Sequence, residues 1–208
     1  MTDPDHYFSS NPDSPENLRK IKGICRNREF EFYSAAGVFS ANKIDTGTSV
    51  LLKNLNIPDE GVILDMGCGI GVVGVVLGVL YPNLEIHFLD INARATLLAK
   101  KNAQFYDLKA YSTFTGDIMQ ILKENHRFYD GIYFNPPIRL GKKVYLNQIL
   151  NAISFLKVKG VMDIVIKKKL GAESVYNYLE NNLESQFQIV LLGKNSGYWV
   201  FEIQRIED

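Results

Sequence analysis

The sequence predicts an α/β fold, in which a mostly parallel seven-stranded sheet carries helices on both of its faces. Three observations lead to this prediction. Short apolar segments, typical of buried strands, alternate with longer helix-like segments over most of the chain. A turn that contains three glycines joins one of these strands to an apolar helix. A final pair of apolar segments flanks residues 193 to 197, which indicates a closing antiparallel hairpin.

Length, charge and cysteine content limit the possible organisation. The 208 residues predict one domain, residues 46 to 208, with a smaller N-terminal extension, residues 1 to 45. The formal net charge is zero, so any binding to nucleic acid must come from local basic patches. Cys25 and Cys68 show no metal-site or disulfide spacing, and no metal is expected. The chain shows neither a signal peptide nor a membrane-spanning run, which predicts a cytoplasmic protein.

The N-terminal extension is predicted to contain a loose arm and a hairpin. Residues 1 to 20 are polar and contain three prolines, which predicts the arm. Two β-prone segments, residues 21 to 25 and 29 to 33, flank Arg26-Asn27-Arg28 and predict the hairpin. The hairpin region is rich in Lys and Arg. That composition fits either a solvated edge strand or a surface that contacts RNA.

The remaining elements follow in regular order. After a loop at residues 37 to 45, a helix is expected to begin with Thr46 or Thr48 as its N-cap. The predicted strands are residues 62–65, 85–90, 110–115, 129–134, 161–166, 187–192 and 198–206, and the predicted helices are residues 46–55, 72–80, 92–105, a short one after 117, 144–156 and 172–183. This order predicts five parallel strands and a terminal pair of which one runs backwards.

The glycine-rich turn is a candidate binding site. The strand before it ends in Asp65 and is followed by Gly67, Gly69 and Gly71. Glycine accepts positive φ and lets a bound group lie against the main chain, while the first N–H groups of the next helix point towards that group. Residues 69 to 74 also match the dinucleotide fingerprint G-x-G-x-x-G. At this point NAD, another cofactor and a turn without a ligand all remain open.

Two acids favour S-adenosylmethionine over NAD. Asp65 precedes the first glycine, where a carboxylate opposes a pyrophosphate but suits a cationic amino-acid group. The next strand ends in Asp90, which is placed to accept hydrogen bonds from both hydroxyls of a ribose. Ile91 follows it directly and belongs to the predicted cofactor site. Asp117 and Ile118 follow the third strand, and Asp117 is expected to bind the adenine amino group, to cap a helix, or both.

Asn135, Pro136 and Pro137 follow the fourth strand and are the predicted catalytic residues, with Asn135 also placed at the cofactor. An Asn-Pro pair is often only a turn. However, the glycine turn and Asp90 resemble those of the class I methyltransferases, and this resemblance implies that the methyl acceptor binds at this turn. The Asn135 side-chain oxygen and the Pro136 carbonyl are then placed to hold the two N–H bonds of an amino group. The nitrogen lone pair then points at the methyl group of S-adenosylmethionine, and the prolines stiffen the loop.

Several segments resemble a known family. The run D-x-G-x-G-x-G is similar to motif I of the class I methyltransferases, whose Rossmann-like sheet also ends in an antiparallel pair. The segments NPPIRLGKK, YFSSNP, GVFSANKIDTGT and IKKKLGA resemble the ribosomal RNA guanine-N2 methyltransferase family. The resemblance covers about residues 6 to 205. It fits single-domain, small-subunit-type members that match the catalytic half of the two-domain enzymes, so the N-terminal domain of those enzymes is expected to be missing. The NPP(F/I/Y) motif is shared with adenine-N6 and protein-glutamine methyltransferases.

The resemblance implies an S-adenosylmethionine-dependent enzyme, favoured as a monomer, that methylates guanine N2 in ribosomal RNA. Two basic clusters at neighbouring strand ends are expected to contact the RNA phosphates. The predicted substrate residues are Arg139, Lys142, Lys143 and Lys168. Three alternatives remain: an N-methyltransferase acting on a protein glutamine or a small molecule, an NAD-dependent dehydrogenase, and a non-catalytic RNA-binding protein.

Overall fold

The computed structural model of the chain describes residues 17 to 207. Most of the predicted arm, with the YFSSNP segment, lies outside the described residues. The strands are β1 (Arg19–Cys25), β2 (Arg28–Ser34), β3 (Gly61–Met66), β4 (Leu84–Asp90), β5 (Tyr111–Thr115), β6 (Tyr129–Phe134), β7 (Leu156–Lys167), β8 (Phe187–Asn195) and β9 (Tyr198–Arg205). The helices are α1 (Thr46–Asn54), α2 (Val72–Leu80), α3 (Ala93–Phe105), α4 (Ile118–Asn125), α5 (Lys142–Ala152) and α6 (Ala172–Asn182).

Seven of the strands form one sheet in the order β5-β4-β3-β6-β7-β9-β8. β3 pairs in parallel with β4 and with β6, and the parallel pairing continues outwards to β5 and β7. β9 runs antiparallel to both β7 and β8. The predicted sheet of five parallel strands and a terminal pair with one reversed strand is therefore confirmed. The strand order reverses at β3, because the chain proceeds first towards β5 and then returns to β6 on the other side.

Helices cover both faces of the sheet, as predicted. α1, α2 and α3 pack with the β1–β2 hairpin on one face, around a core that includes Phe32 and Leu51. α4, α5 and α6 pack on the other face, around a core that includes Ile149 and Val175. α2 is apolar on nearly all sides, consistent with its burial between the sheet and neighbouring helices. From residue 17 to residue 207, no helix is long and apolar enough to cross a membrane.

The predicted N-terminal hairpin is present. It turns through Arg26 and Asn27, whose φ angles are 47° and 64°. Two successive positive φ angles are what a type I′ turn requires, and this turn suits the twist of a two-stranded hairpin. The hairpin is attached to the segment after α3, because the Glu31 N–H donates a hydrogen bond to the Tyr106 hydroxyl at 2.8 Å. A domain boundary at residue 45 stays a prediction, since the hairpin and the main helices share one core.

The outer face of this hairpin is balanced in charge. Lys20 Nζ lies 2.6 Å from a Glu31 carboxylate oxygen, and Lys22 Nζ lies 3.8 Å from Glu29 and 3.6 Å from Glu31. Exposed ion pairs of this kind contribute little to stability. They do neutralise Lys20 and Lys22, two of the basic residues of the hairpin. The geometry therefore favours a solvated strand surface for this face of the hairpin.

The beginning of α1 differs from the prediction. Its N-cap is Asp45 rather than Thr46 or Thr48, because Asp45 Oδ2 accepts a hydrogen bond from the Thr48 N–H at 3.1 Å. A carboxylate is among the best N-caps, since it satisfies a helix donor and complements the positive end of the helix dipole. The Thr48 hydroxyl has another partner, Asn135, in the functional site.

The closing hairpin is tighter than predicted. Its turn consists of Ser196 and Gly197 rather than the whole segment from 193 to 197, and β8 continues to Asn195. Ser196 and Gly197 have φ angles of 51° and 77°. Two residues with positive φ suffice to reverse the chain in a type I′ turn, so the polar residues before them remain in the strand.

A buried acid lies in the middle of β7. Asp163 pairs across the sheet with Glu202 on β9, and Asn56 joins the two side chains. The Asn56 N–H donates to Asp163 Oδ2 at 3.1 Å, and its Nδ2 donates to Glu202 Oε2 at 2.7 Å. Asp163 is fully buried, and its Oδ1 finds no hydrogen-bond partner among the described residues. Burial, reinforced by the charge of Glu202, raises the pKa of Asp163 well above its ordinary value.

The substitution Asp163→Asn should change how stability depends on pH. The pKa of Asp163 is higher in the folded protein than in the unfolded chain, where it is about 3.9. The wild-type protein therefore loses stability as the pH rises from that value through the folded pKa. Asparagine keeps an acceptor for Asn56 but does not ionise. We expect the variant to melt at a higher temperature than wild type, by a margin that grows with pH. Thermal melts over a pH series test this, and parallel melting curves would contradict it.

Candidate functional site

A cleft of about 690 Å³ opens at the carboxyl ends of β3, β4 and β6, where the strand order reverses. Its volume lies in the range of cofactor and small-molecule sites, and its position is where open α/β sheets bind ligands. The lining includes ten of the residues that the sequence predicts for the site: Gly67, Gly69, Asp90, Ile91, Asp117, Ile118, Asn135, Pro136, Pro137 and Arg139. A smaller space of about 50 Å³ adjoins the cleft at the glycine loop and is lined by Asp65.

The three predicted glycines have different roles. Gly67, Gly69 and Gly71 have φ angles of 65°, 54° and 81°, in the left-handed region that favours glycine. Gly67 and Gly69 line the cleft, and a Cβ on Gly69 would meet no atom within 4 Å. Gly71 lines neither space, and a Cβ there would approach the Ala99 Cβ to 2.9 Å. Gly71 therefore allows α2 and α3 to pack closely, and its contact with a cofactor stays a prediction.

Asp65 connects the end of β3 to the start of α2. It is 4% exposed, and its Oδ2 accepts a hydrogen bond from the Gly74 N–H at 2.9 Å. Burial raises the pKa of Asp65 to about 8; the charge of Asp90 adds to this shift, and the Gly74 hydrogen bond opposes it. A cationic group in the smaller space would face this carboxyl and would favour its ionised form.

Asp90 holds the glycine loop as well as lining the cleft. Its Oδ2 accepts a hydrogen bond from the Gly69 N–H at 2.8 Å, and its Oδ1 accepts one from the Asn92 N–H at 2.9 Å. Burial raises the pKa of this carboxyl. Each carboxylate oxygen has a second lone pair, so Asp90 can still accept a hydroxyl from a ligand. The sequence predicted a contact between Asp90 and a ligand, but it did not predict the hydrogen bond by which Asp90 holds the glycine loop.

Asp117 is the N-cap of α4. Its Oδ1 accepts hydrogen bonds from the N–H groups of Met119 and Gln120, each at 3.0 Å. Its Oδ2 makes no hydrogen bond to any described residue, so capping leaves one oxygen for a ligand in the cleft. Ile91 and Ile118 supply apolar walls nearby.

Within residues 17 to 207, no group of three or more His, Cys, Asp or Glu side chains is arranged to hold a metal ion.

The Asn135 side chain has a fixed orientation. Its Nδ2 donates hydrogen bonds to Asp45 Oδ2 at 3.0 Å and to Thr48 Oγ1 at 3.1 Å. Its Oδ1 receives no hydrogen bond from the described residues, and Asn135 lines the cleft. The Pro136 carbonyl accepts a hydrogen bond from the Ile138 N–H at 2.8 Å, which leaves it one lone pair. Of the two predicted acceptors, the amide oxygen is therefore the more available.

The predicted basic residues take different positions. Arg139 lines the cleft, whereas Lys142 donates hydrogen bonds to the hydroxyl and the carbonyl of Ser174 and is tied to α6. Lys143 and Lys168 are exposed but lie outside the lining. Lys167, next to Lys168, does line the cleft, and its Nζ lies 5.7 Å from the centre of the Tyr198 ring. The cationic groups at the cleft itself are thus Arg139 and Lys167.

Comparison with known protein families identifies the family of this chain. Residues 29 to 202 match the family model described as methyltransferase small domain. The match extends over more than half of the 208 residues and includes the glycine loop, Asp90 and the Asn-Pro-Pro turn. The chain belongs to the methyltransferase small domain family. The prediction that the protein is a methyltransferase is confirmed, and the dehydrogenase alternative is removed.

Two relatives within this family differ in length. The uncharacterized protein YbxB of Bacillus subtilis is 32% identical over 203 residues, which are 97% of this chain and 99% of that protein. The ribosomal RNA small subunit methyltransferase C of Psychromonas ingrahamii is 33% identical over 156 residues, which are 72% of this chain. The matched region is 43% of the Psychromonas protein. The chain therefore spans nearly all of one relative and less than half of the other.

A solved structure supports the same family. The 16S rRNA N2 methyltransferase (RsmC) of Thermus thermophilus, in complex with AdoMet and guanosine, has a TM-score of 0.73 and is 25% identical. The superposition covers 93% of this chain and 52% of the Thermus chain. The predicted Rossmann-like methyltransferase fold is confirmed.

The methyltransferase small domain of this chain also contains site residues that the sequence did not identify. Phe39, Asp45 and Tyr198 line the cleft. Phe39 is 51% exposed although the adjacent Val38 is fully buried. An apolar pair in a polar loop is the signal that could have identified Phe39. The sequence around Asp45 and Tyr198 does not predict that they line the cleft, because contacts between distant parts of the chain bring them there.

Proposed function

We propose that this methyltransferase uses S-adenosylmethionine to methylate the exocyclic N2 amino group of a guanine in ribosomal RNA. The observation that carries the proposal is the Asn135 side chain, whose Nδ2 is held by two acceptors while its Oδ1 stays available in the cleft. The relative in complex with AdoMet and guanosine supports both ligands. The predicted cytoplasmic location and monomeric state belong to this proposal.

The polar side chains at the strand ends follow one another in the same order as the groups of S-adenosylmethionine that they would bind. β6, β3, β4 and β5 are consecutive neighbours in the sheet, with strand ends about 4.8 Å apart. Their carboxyl ends carry Asn135, Asp65, Asp90 and Asp117, in that order. Asp65 suits the cationic amino group, Asp90 the ribose hydroxyls and Asp117 Oδ2 the adenine amino group. Asn135 then lies on the far side of Asp65, next to the reactive end of the cofactor.

The acceptor groups explain how a weak nucleophile can react. Bound S-adenosylmethionine supplies a methyl group on positively charged sulfur, a strong electrophile. A guanine amino group is a poor nucleophile, because its lone pair is delocalised into the ring. Asn135 Oδ1 and the remaining lone pair of the Pro136 carbonyl accept its two N–H bonds and aim the nitrogen lone pair along the cleft. Both oxygens also stabilise the positive charge that develops on nitrogen as the N–C bond forms and the S–C bond of the cofactor breaks. The methylated nitrogen then loses one proton to water.

The rim of the cleft fits RNA better than a small metabolite. Arg139 and Lys167 lie on the lining and can pair with phosphates that flank an extruded base. The exposed ring of Phe39 offers a surface for base stacking. A protein glutamine or a small molecule would leave these groups without a partner.

Transfer of labelled methyl groups to RNA, protein and metabolite pools distinguishes these substrates, and transfer to none would indicate a non-catalytic RNA-binding protein.

Asp90→Ala should weaken S-adenosylmethionine binding by more than tenfold. Two ribose hydroxyls lose a charged acceptor, and each charge-assisted hydrogen bond contributes about 1.5–3 kcal/mol. The matched control is Asp107→Ala, which removes an exposed acid paired with Lys109 outside the cleft and should bind as wild type does. Calorimetry measures the affinities, and thermal melts detect any loosening of the glycine loop. Unchanged affinity in Asp90→Ala would contradict the ribose assignment.

Asn135→Ala should lower the rate of methyl transfer by roughly a hundredfold or more, the usual cost of losing a preorganised group that stabilises transition-state charge. Cofactor binding should stay within a few-fold, because Asn135 acts on the acceptor. Single-turnover kinetics with saturating labelled cofactor and ribosomal RNA measure the rate. Asn147→Ala, on the exposed face of α5, is the control. A rate within about threefold of wild type for Asn135→Ala would place the chemistry elsewhere.

A further inference from the structure

We infer that Asp45 positions and polarises Asn135 for methyl transfer. The inference rests on the proposed function. Asp45 is the N-cap of α1 and lies 90 residues before the Asn-Pro-Pro turn. Its Oδ2 accepts two hydrogen bonds, from the Thr48 N–H at 3.1 Å and from Asn135 Nδ2 at 3.0 Å. One carboxylate oxygen thus joins the start of a helix to the catalytic turn.

The contact determines which way the Asn135 amide faces. Its two N–H bonds are directed at Asp45 Oδ2 and Thr48 Oγ1. If the amide rotated by half a turn, its oxygen would face the Asp45 carboxylate, and two acceptors would oppose each other without a proton between them. The observed orientation is therefore strongly preferred. It leaves Asn135 Oδ1 as the atom available to an incoming amino group.

The first turn of α1 has the space for this contact because residue 47 is glycine. A Cβ on Gly47 would lie 2.8 Å from Asp45 Oδ2 and 3.3 Å from Asn135 Nδ2. It would also lie 3.1 Å from the Tyr198 ring, which lines the same cleft. Any larger residue would push the carboxylate and the amide apart. The helix start therefore provides both the acceptor and the room for the Asn135 side chain.

The negative charge of Asp45 adds a second effect. An amide N–H that donates to an anion shifts electron density towards the amide oxygen, so Asn135 Oδ1 becomes a stronger acceptor. That stronger acceptor favours the transition state, in which the bound nitrogen becomes cationic. A neutral acceptor at residue 45 would preserve the orientation of Asn135 and lose this polarisation.

Two substitutions at Asp45 separate the two effects. Asn is as good an N-cap as Asp, so Asp45→Asn keeps α1 and an acceptor for Asn135 while removing the charge. We expect single-turnover methyl transfer about tenfold slower in Asp45→Asn, because a charged hydrogen bond is about twice as strong as a neutral one. Asp45→Ala should approach the loss seen in Asn135→Ala. In the Asn135→Ala background, Asp45→Ala should cause no further loss of rate. Thr46→Ala, an exposed neighbour, should keep the wild-type rate.

A spectroscopic measurement tests the contact without activity. In ¹⁵N-labelled protein, one side-chain amide proton of Asn135, assigned by its loss in Asn135→Ala, should shift upfield in Asp45→Asn while the melting temperature stays close to wild type. Asp45 also lines the smaller space, where it would face a cationic part of the cofactor. Weaker cofactor binding in Asp45→Asn with an unchanged rate at saturation would therefore overturn the inference, as would an unmoved amide proton.

The outcomes also distinguish this inference from the proposed function. A slow Asn135→Ala with Asp45 variants at the wild-type rate would overturn the role of Asp45 alone. A wild-type rate in Asn135→Ala would overturn the proposed function, and the inference with it.

Discussion

The turn from β3 into α2 is the constraint on which the rest of the site depends. In a few residues the chain leaves a buried strand, passes the cleft with its backbone exposed to ligand, and enters a buried helix. Glycines make this path possible, but they leave backbone donors that need partners. Asp65 accepts the N–H of Gly74, and Asp90 accepts the N–H of Gly69. Two poorly solvated carboxylates thus fix the loop and remain beside the proposed cofactor site.

The parallel sheet places the polar side chains of the site in a line along one edge. Each strand contributes one polar side chain at its carboxyl end, and neighbouring strands set the distances between those side chains. The proposed acceptor end is built differently, since the Asn135 orientation depends on the N-terminus of α1, an element that precedes the sheet in the chain. The proposed cofactor end is thus held by hydrogen bonds across 9 and 21 residues, and the proposed acceptor end by one across 90 residues.

The parts of the site that the sequence predicts are those specified by local spacing. The glycine loop, Asp90 and the Asn-Pro-Pro turn each follow an apolar strand, and the alternation of elements places them at one edge. Local spacing cannot show which side chains meet across the fold. For that reason it identified neither Asp45 as the partner of Asn135 nor Ser174 as the partner of Lys142. It also gave no sign that Gly71 lets α2 and α3 pack closely.

The identity of the methylated product tests the account most directly. The purified protein would be incubated with labelled S-adenosylmethionine and with unmodified small-subunit ribosomal RNA, free or assembled into subunits. The RNA would then be digested to nucleosides and analysed by mass spectrometry. We predict label in N2-methylguanosine, formed roughly a hundredfold or more slowly when Asn135 is replaced by alanine. Label in N6-methyladenosine, or in the protein of the assembled subunits, with none in N2-methylguanosine, would contradict the proposed function.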